Sequence, residues 1–141
     1  MIFKRIALAV LLLGLVLTPV QAAHREWSKA QMQQHVTEQF RHFNDGYFDG
    51  KLPKTTVHYA EVPNEEDVVG FTICDMDENG PMECEVWVVP HYNIEPMAAN
   101  LTLAHEMCHI AVYGKEFDDH GPKWQGCMKH LATEGAFEGS W

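Results

Sequence analysis

The segment LTLAHEMCHIAVYGKEFDDHGPKW, residues 101–124, constrains the fold of this chain more than any other segment. His105 and His109 are four residues apart, so an α-helix places both side chains on one face. Gly114 is suited to end that helix, and His120 follows in the returning chain, directly before a Gly-Pro pair. A fold that uses the three histidines together therefore needs a helix, a reversal and a further helix that begins just after His120.

This spacing predicts a metal site with a catalytic base. Zinc binds imidazole nitrogens at about 2.0–2.1 Å, and catalytic zinc sites have three protein ligands and one open position. Glu106 is turned by about 100° from His105 around the helix, so it flanks the ion, where a carboxylate can take a proton from a metal-bound water. We therefore expect His105, His109 and His120 to bind one ion. Zinc is the best match, other divalent ions remain open, and Glu106 is the expected general base.

Apolar periodicity and turn residues predict three helices and three strands, in the order helix, strands, helix, helix. Met32, Val36, Phe40 and Phe43 recur at spacings of three and four, which indicates that the first helix buries one face. The helices are expected to begin after Ser28, at Pro96 and at Pro122, and the strands to span residues 57–62, 68–74 and 84–89. The last two strands flank a turn-rich tip and are expected to form a hairpin. The predicted fold class is an α+β domain with a small three-stranded sheet.

Four cysteines are candidates for disulfide bonds: Cys74, Cys84, Cys108 and Cys127. Of the three possible pairings, we expect Cys74–Cys84 and Cys108–Cys127, because each joins neighbouring predicted elements. Helical geometry places Cys108 on the side of its helix opposite Glu106, which makes it a poor ligand for the same ion. The alternatives are a zinc site built from the cysteines, although no C-x-x-C pair is present, or pairs of buried thiols.

The first 22 residues have the pattern of a cleaved secretory signal. Lys4 and Arg5 precede an apolar run from Ile6 to Leu17, and small residues follow at the expected cleavage positions. The alternative is a retained anchor, but the run is short for a membrane span, which needs about 20 apolar residues. We expect residues 1–22 to be removed and residues 23–141 to form one domain, periplasmic or secreted and without a stable membrane anchor.

The charge of the chain argues against nucleic acid as a partner. The full chain has 10 basic and 20 acidic residues, and Lys4 and Arg5 lie in the predicted signal. The remaining 8 basic and 20 acidic residues give a net charge of −12 with histidine neutral. Such a chain repels nucleic acid and anionic membranes. We expect a monomer whose partner is a peptide or protein substrate.

The residues quoted above, together with FNDGYFDGKLP at 43–53, resemble a SprT-like metallopeptidase domain, the group that includes Spartan. The resemblance rests on HEMCH at 105–109 and HGPKW at 120–124, and the strand segments VVGFTIC and CEVWVV occur in the order of the family. It implies a zincin-like fold, the three histidines as zinc ligands and Glu106 as catalytic acid/base. Family members in DNA repair cleave proteins crosslinked to DNA, but the predicted export and acidity of this chain argue against that role here.

The predicted function is therefore an exported zinc peptidase. Two alternatives remain open: a non-catalytic, zinc-stabilised module that binds an exported partner, and a cell-wall hydrolase. The substrate backbone is expected to pair with an exposed sheet edge at residues 84–89. Tyr113 and His130 are secondary candidates for stabilising a reaction intermediate, and Asp118 or Asp119 for orienting a ligand histidine.

Overall fold

The computed structural model describes residues 26–76, 80 and 82–138. The elements are α1 (Lys29–Tyr47), β1 (Lys54–Tyr59), β2 (Gly70–Asp75), β3 (Glu83–Val88), α2 (Pro96–Val112) and α3 (Pro122–Thr133). Three helices and a mixed three-stranded sheet make a small α+β domain, as predicted. The predicted signal, residues 1–22, lies outside the described residues. Within the described part, no helix is long and apolar enough to span a membrane.

Helix α1 begins with a capping box and buries one face. The Ser28 hydroxyl accepts from the Gln31 backbone N–H, and the Gln31 side chain accepts from the Ser28 N–H. These bonds satisfy two groups that a helix start otherwise leaves without partners. Met32, Val36 and Phe43 lie in the core, at the helical spacing that their sequence positions predict.

Asn44 organises the turn that follows α1. Its carbonyl oxygen accepts from the Gly50 N–H at 2.8 Å, and its side-chain oxygen accepts from the Leu52 N–H at 3.1 Å. Asp49 and Gly50 both have positive φ, a conformation in which glycine is not strained. This turn, in the segment 43–53 that supports the family resemblance, directs the chain into β1.

The strand order is β1-β3-β2, with β3 parallel to β1 and antiparallel to β2. The predicted pairing of the second and third strands is confirmed. The first strand spans 54–59 rather than the predicted 57–62, because it ends where its partner ends: Tyr59 pairs with Val88, the last residue of β3. Val62 is buried beyond the strand, so its apolar character reflects packing rather than pairing.

Residues 84–89 do not form a free sheet edge, so the expectation that a substrate pairs there is wrong. Strand β3 has neighbours on both sides, and its backbone groups already bond to β1 and β2. The outer edges of the sheet belong to β1 and β2. The sequence suggested the wrong strand because the parallel β1–β3 pairing is non-local and leaves no signal within either segment.

Asn93 is a buried polar residue that connects the three strands of the sheet to α2. Its side-chain amide donates to the carbonyl oxygens of Val69, just before β2, and Val89, just after β3. Its side-chain oxygen accepts from the Thr102 hydroxyl of α2 at 2.6 Å. The phenol of Tyr59 donates to the Asn93 carbonyl oxygen. A buried amide with every polar atom bonded holds the start of β2 against α2.

Both expected disulfides are present. Cys74 pairs with Cys84 across β2 and β3, and Cys108 pairs with Cys127 between α2 and α3. No cysteine is free. The four-cysteine zinc site and the buried thiol pairs are therefore excluded. The second bridge is fully buried at Cys108 and joins the helix that carries His105 and His109 to the helix after His120.

Replacing Cys108 and Cys127 by alanine should lower the free energy of unfolding by about 3 kcal/mol, the stabilisation expected from closing a loop of this size. Denaturant unfolding of both proteins measures the change. A matched variant without Cys74 and Cys84 loses a bridge that joins no ligand-bearing helix. Metal affinity should fall more in the first variant than in the second; equal affinities would contradict a bracing role for the α2–α3 bridge.

Candidate metal centre

The chain reverses between α2 and α3 and so returns His120 to the face of α2. Gly114 follows α2 with φ 67°, which lets the chain turn without the strain that a side chain adds. Gly121 precedes Pro122, the first residue of α3. A Cβ on Gly121 would come within 2.7 Å of a Glu116 carboxylate oxygen, so a side chain at this position would have to displace that carboxylate.

Glu116 fixes the end of that loop. Its two carboxylate oxygens accept from the backbone N–H groups of Lys123 and Trp124, at 2.9 and 2.8 Å. A carboxylate at a helix start satisfies unpaired N–H groups and complements the helix dipole. Sequence analysis did not identify Glu116, because it lies outside the usual capping position next to the helix. It holds the first turn of α3 against the loop that carries His120.

The three predicted histidines converge. The Nε2 atom of His105 lies 3.2 Å from that of His109 and 3.1 Å from that of His120. Three nitrogens bound tetrahedrally to one zinc ion at the usual distance are about 3.3 Å apart. Among the described residues, these histidines are the one group of three or more His, Cys, Asp or Glu placed to hold an ion. This donor set fits a single zinc ion.

Burial keeps two of these imidazoles neutral. Burial, and after it the nearby His109 and His120, lower the pKa of His105 to about 4. The pKa of His109 is also lowered, first by burial and then by His120, although Asp119 raises it. Metal binding requires the neutral form of imidazole, so both side chains are ready to bind at neutral pH.

Trp124 forms a wall behind the three imidazoles. The ring centroids of His105, His109 and His120 lie 4.7, 5.7 and 4.4 Å from a centroid of the indole. The indole N–H donates to the His105 carbonyl oxygen at 3.3 Å. Such contacts limit the rotation of ligand side chains and exclude water from one side of a metal site. Sequence analysis assigned Trp124 no role at the site; its position within HGPKW was the available signal.

The side chain of Glu106, on α2, is buried against the start of β2. It is 6% exposed, and one carboxylate oxygen accepts from the Thr72 hydroxyl at 2.6 Å. A Cβ on Gly70 would lie 2.7 Å from the other carboxylate oxygen and 2.6 Å from the methyl of Thr102. Burial raises the pKa of the Glu106 carboxyl, the hydrogen bond from Thr72 opposes this effect, and the resulting pKa is about 7. Sequence analysis missed Gly70 and Thr72, because their contact with Glu106 joins residues more than 30 positions apart.

A cavity of about 420 Å³ opens in front of the histidines and Glu106. Its walls are the start of β2, the end of α2 and the returning loop. Tyr113 lines it and donates its hydroxyl to the Cys74 carbonyl oxygen at 2.9 Å. Asp118 accepts from the His120 backbone N–H, so it orders the loop rather than the imidazole. His130 does not line the cavity.

The family model described as "SprT-like family" matches residues 36–139, a range that covers every element from within α1 to α3. No curated protein and no solved structure matches the chain significantly.

In metal-free protein, Glu106→Gln should change the pH dependence of stability. Below the ordinary carboxyl pKa of 4.5, Glu106 is protonated in the folded and unfolded chains and has no effect. Between 4.5 and about 7 only the unfolded chain releases its proton, so the free energy of unfolding falls as pH rises. Above about 7 the full penalty, on the order of 3 kcal/mol, is present in wild type and absent in the variant.

Thermal unfolding in chelator at pH 4 and pH 8 measures this difference. The variant should match wild type at pH 4 and unfold at higher temperature at pH 8. Glu138→Gln serves as the control for loss of one exposed acid. An equal effect of Glu106→Gln at both pH values would contradict the burial argument.

Proposed function

The chain belongs to the SprT-like family, and on that premise we propose that it is an exported zinc peptidase. The observation that carries the proposal is the convergence of His105, His109 and His120 beside the buried carboxylate of Glu106. This set combines a three-nitrogen site for an ion with a proton acceptor at the wall of an open cavity. Metal-assisted hydrolysis of a peptide bond uses those two components in contact with water.

His105, His109 and His120 are the residues that would hold the ion. Zinc, when bound, polarises a carbonyl group and brings the pKa of a water to about 7. Glu106 accepts the proton of the attacking water and returns it to the leaving amine. Thr72 keeps the Glu106 carboxylate in place by its hydrogen bond, so the proton acceptor needs little reorganisation during the reaction.

The outer edge of β2 is the proposed docking site for the substrate backbone. Gly70, Phe71 and Thr72 line the cavity that contains the histidines, and within the described part of the chain β2 has a neighbouring strand only on its β3 side. An extended peptide can add to such an edge as a further strand. This docking mode requires an extended segment, so unfolded proteins and exposed loops are the proposed substrates.

Export is supported by the two disulfides and by the signal pattern of residues 1–22. Disulfides persist in oxidising compartments, and both bridges lie within the domain. We place the protein in the periplasm or outside the cell. The net charge of −10 for the full chain disfavours a nucleic-acid partner, so the proposed role does not include DNA.

Glu106→Gln should retain the metal and lower peptidase turnover by at least a hundredfold, because a positioned general base contributes about 10²–10⁴ in rate. Wild type and variant, both lacking residues 1–22, are compared by metal analysis and by cleavage of an unfolded protein. His105→Ala, which removes a ligand, should lose the metal as well as turnover. Wild-type protein that holds one ion and cleaves no unfolded protein would contradict the proposal, and equal turnover in Glu106→Gln would contradict the assigned base.

Gly70→Ala should lower turnover by about a hundredfold, because the added methyl displaces the Glu106 carboxylate and small displacements of a catalytic group are costly. Its metal content should not change, since the three atoms nearest to the added Cβ belong to Thr102 and Glu106 rather than to a ligand histidine. Gly126→Ala is the matched control: its added Cβ meets no atom within 4 Å. Wild-type turnover in Gly70→Ala would show that Glu106 needs no such placement.

A further inference from the structure

A second cavity, of about 510 Å³, adjoins the metal centre on the side of α2 towards its start. The two cavities share Gly70, His105 and Glu106. The second cavity is lined in addition by Val68, Val69, Leu101, Thr102 and Met128. Because Gly70, His105 and Glu106 line both spaces, the second cavity is adjacent to the place where the proposed reaction occurs.

The lining of this cavity favours an apolar occupant. Val68, Val69, Leu101 and Met128 supply aliphatic and thioether surface, and among the described residues that line the cavity His105 and Glu106 are the ionisable ones. The hydroxyl of Thr102 already donates to Asn93. A charged or amide side chain would lose water there and compete for His105 and Glu106, which the proposed reaction itself requires, and this is unfavourable. A large aliphatic or aromatic side chain would bury apolar area on both itself and the wall.

The position of the cavity along β2 specifies which part of a substrate reaches it. Val68 and Val69 directly precede Gly70, the first residue of β2, and Asn93 holds the Val69 carbonyl oxygen. Alternate side chains of a bound strand point to opposite faces. A peptide along this edge, with its reacting bond next to His105 and Glu106, therefore directs a neighbouring side chain over Gly70 and into the cavity.

We propose that this cavity, lined by Val68, Val69, Leu101 and Met128, is a specificity pocket for a bulky apolar side chain next to the scissile bond. The inference rests on the proposed peptidase function and names its substrate class: extended segments with Leu, Met or Phe at one of the two positions that flank the cleaved bond. A cavity of this size lies within the range of ligand pockets, about 300–1,000 Å³.

Cleavage of a peptide library, varied at both flanking positions and analysed by mass spectrometry, tests the proposal. At one flanking position, wild type should prefer Leu, Met or Phe to Ala by roughly 10- to 100-fold in kcat/KM, as apolar pockets discriminate by size. Asp and Lys at that position should be cleaved more slowly still.

Two variants change the pocket in different ways. Val69→Trp fills it and should reduce the ratio of kcat/KM for Leu over Ala by at least tenfold. Met128→Lys adds a positive charge and should shift the preference at that position towards Glu. The control is Ile94→Trp, at an exposed residue of a third cavity that shares no lining residue with the other two. It should leave the wild-type preference unchanged.

The outcomes separate this inference from the proposed function. A wild-type protein that cleaves peptides with no apolar preference at either flanking position overturns the pocket and leaves the peptidase standing. An unchanged preference in folded Val69→Trp and Met128→Lys also overturns the pocket. A wild-type protein that holds its metal and cleaves nothing overturns the proposed function, and the pocket with it.

Discussion

The Nε2 atom of His105 lies within 3.2 Å of those of two other histidines, one of which comes from outside α2. This close approach depends on contacts that fix the returning loop. Glu116 holds the first turn of α3, the Cys108–Cys127 bridge fastens α3 to α2, and Trp124 fills the space behind the rings. Helical geometry alone brings His105 and His109 together, whereas the position of His120 depends on all of these contacts.

Strand β2 contacts the same candidate centre from the opposite side. Gly70 and Thr72 meet Glu106 near the start of the strand, and Tyr113 donates to the Cys74 carbonyl oxygen near its end. The edge proposed to bind substrate is therefore fastened to α2 at two points. In the proposed function, this fastening would fix a docked backbone relative to the carboxylate, which must lie within hydrogen-bond reach of the proton that it accepts.

The burial of Glu106 lowers the stability of the metal-free fold but suits the proposed role of this carboxylate as a proton acceptor. Its burial raises the carboxyl pKa to about 7, so the ionised side chain destabilises the metal-free fold at alkaline pH. The surrounding core, with Leu103, Met107 and Ile110 fully or nearly buried on the same helix, and the two disulfides offset that cost. In the proposed hydrolysis, the same burial would remove water that otherwise screens the carboxylate from the reacting atoms.

Much of the fold and of the candidate site was predictable from local pattern. The spacing of His105, His109 and His120, the glycine and proline positions around them, and the apolar periodicity of α1 each operate within a short stretch of chain. The disulfide pairing followed because each bridge joins neighbouring elements. Tertiary structure alone decided that β3 is central, that Gly70 and Thr72 hold Glu106, and that an apolar pocket adjoins the metal centre. These features arise from contacts between segments far apart in sequence, and neither segment contains a periodic signal that identifies its partner.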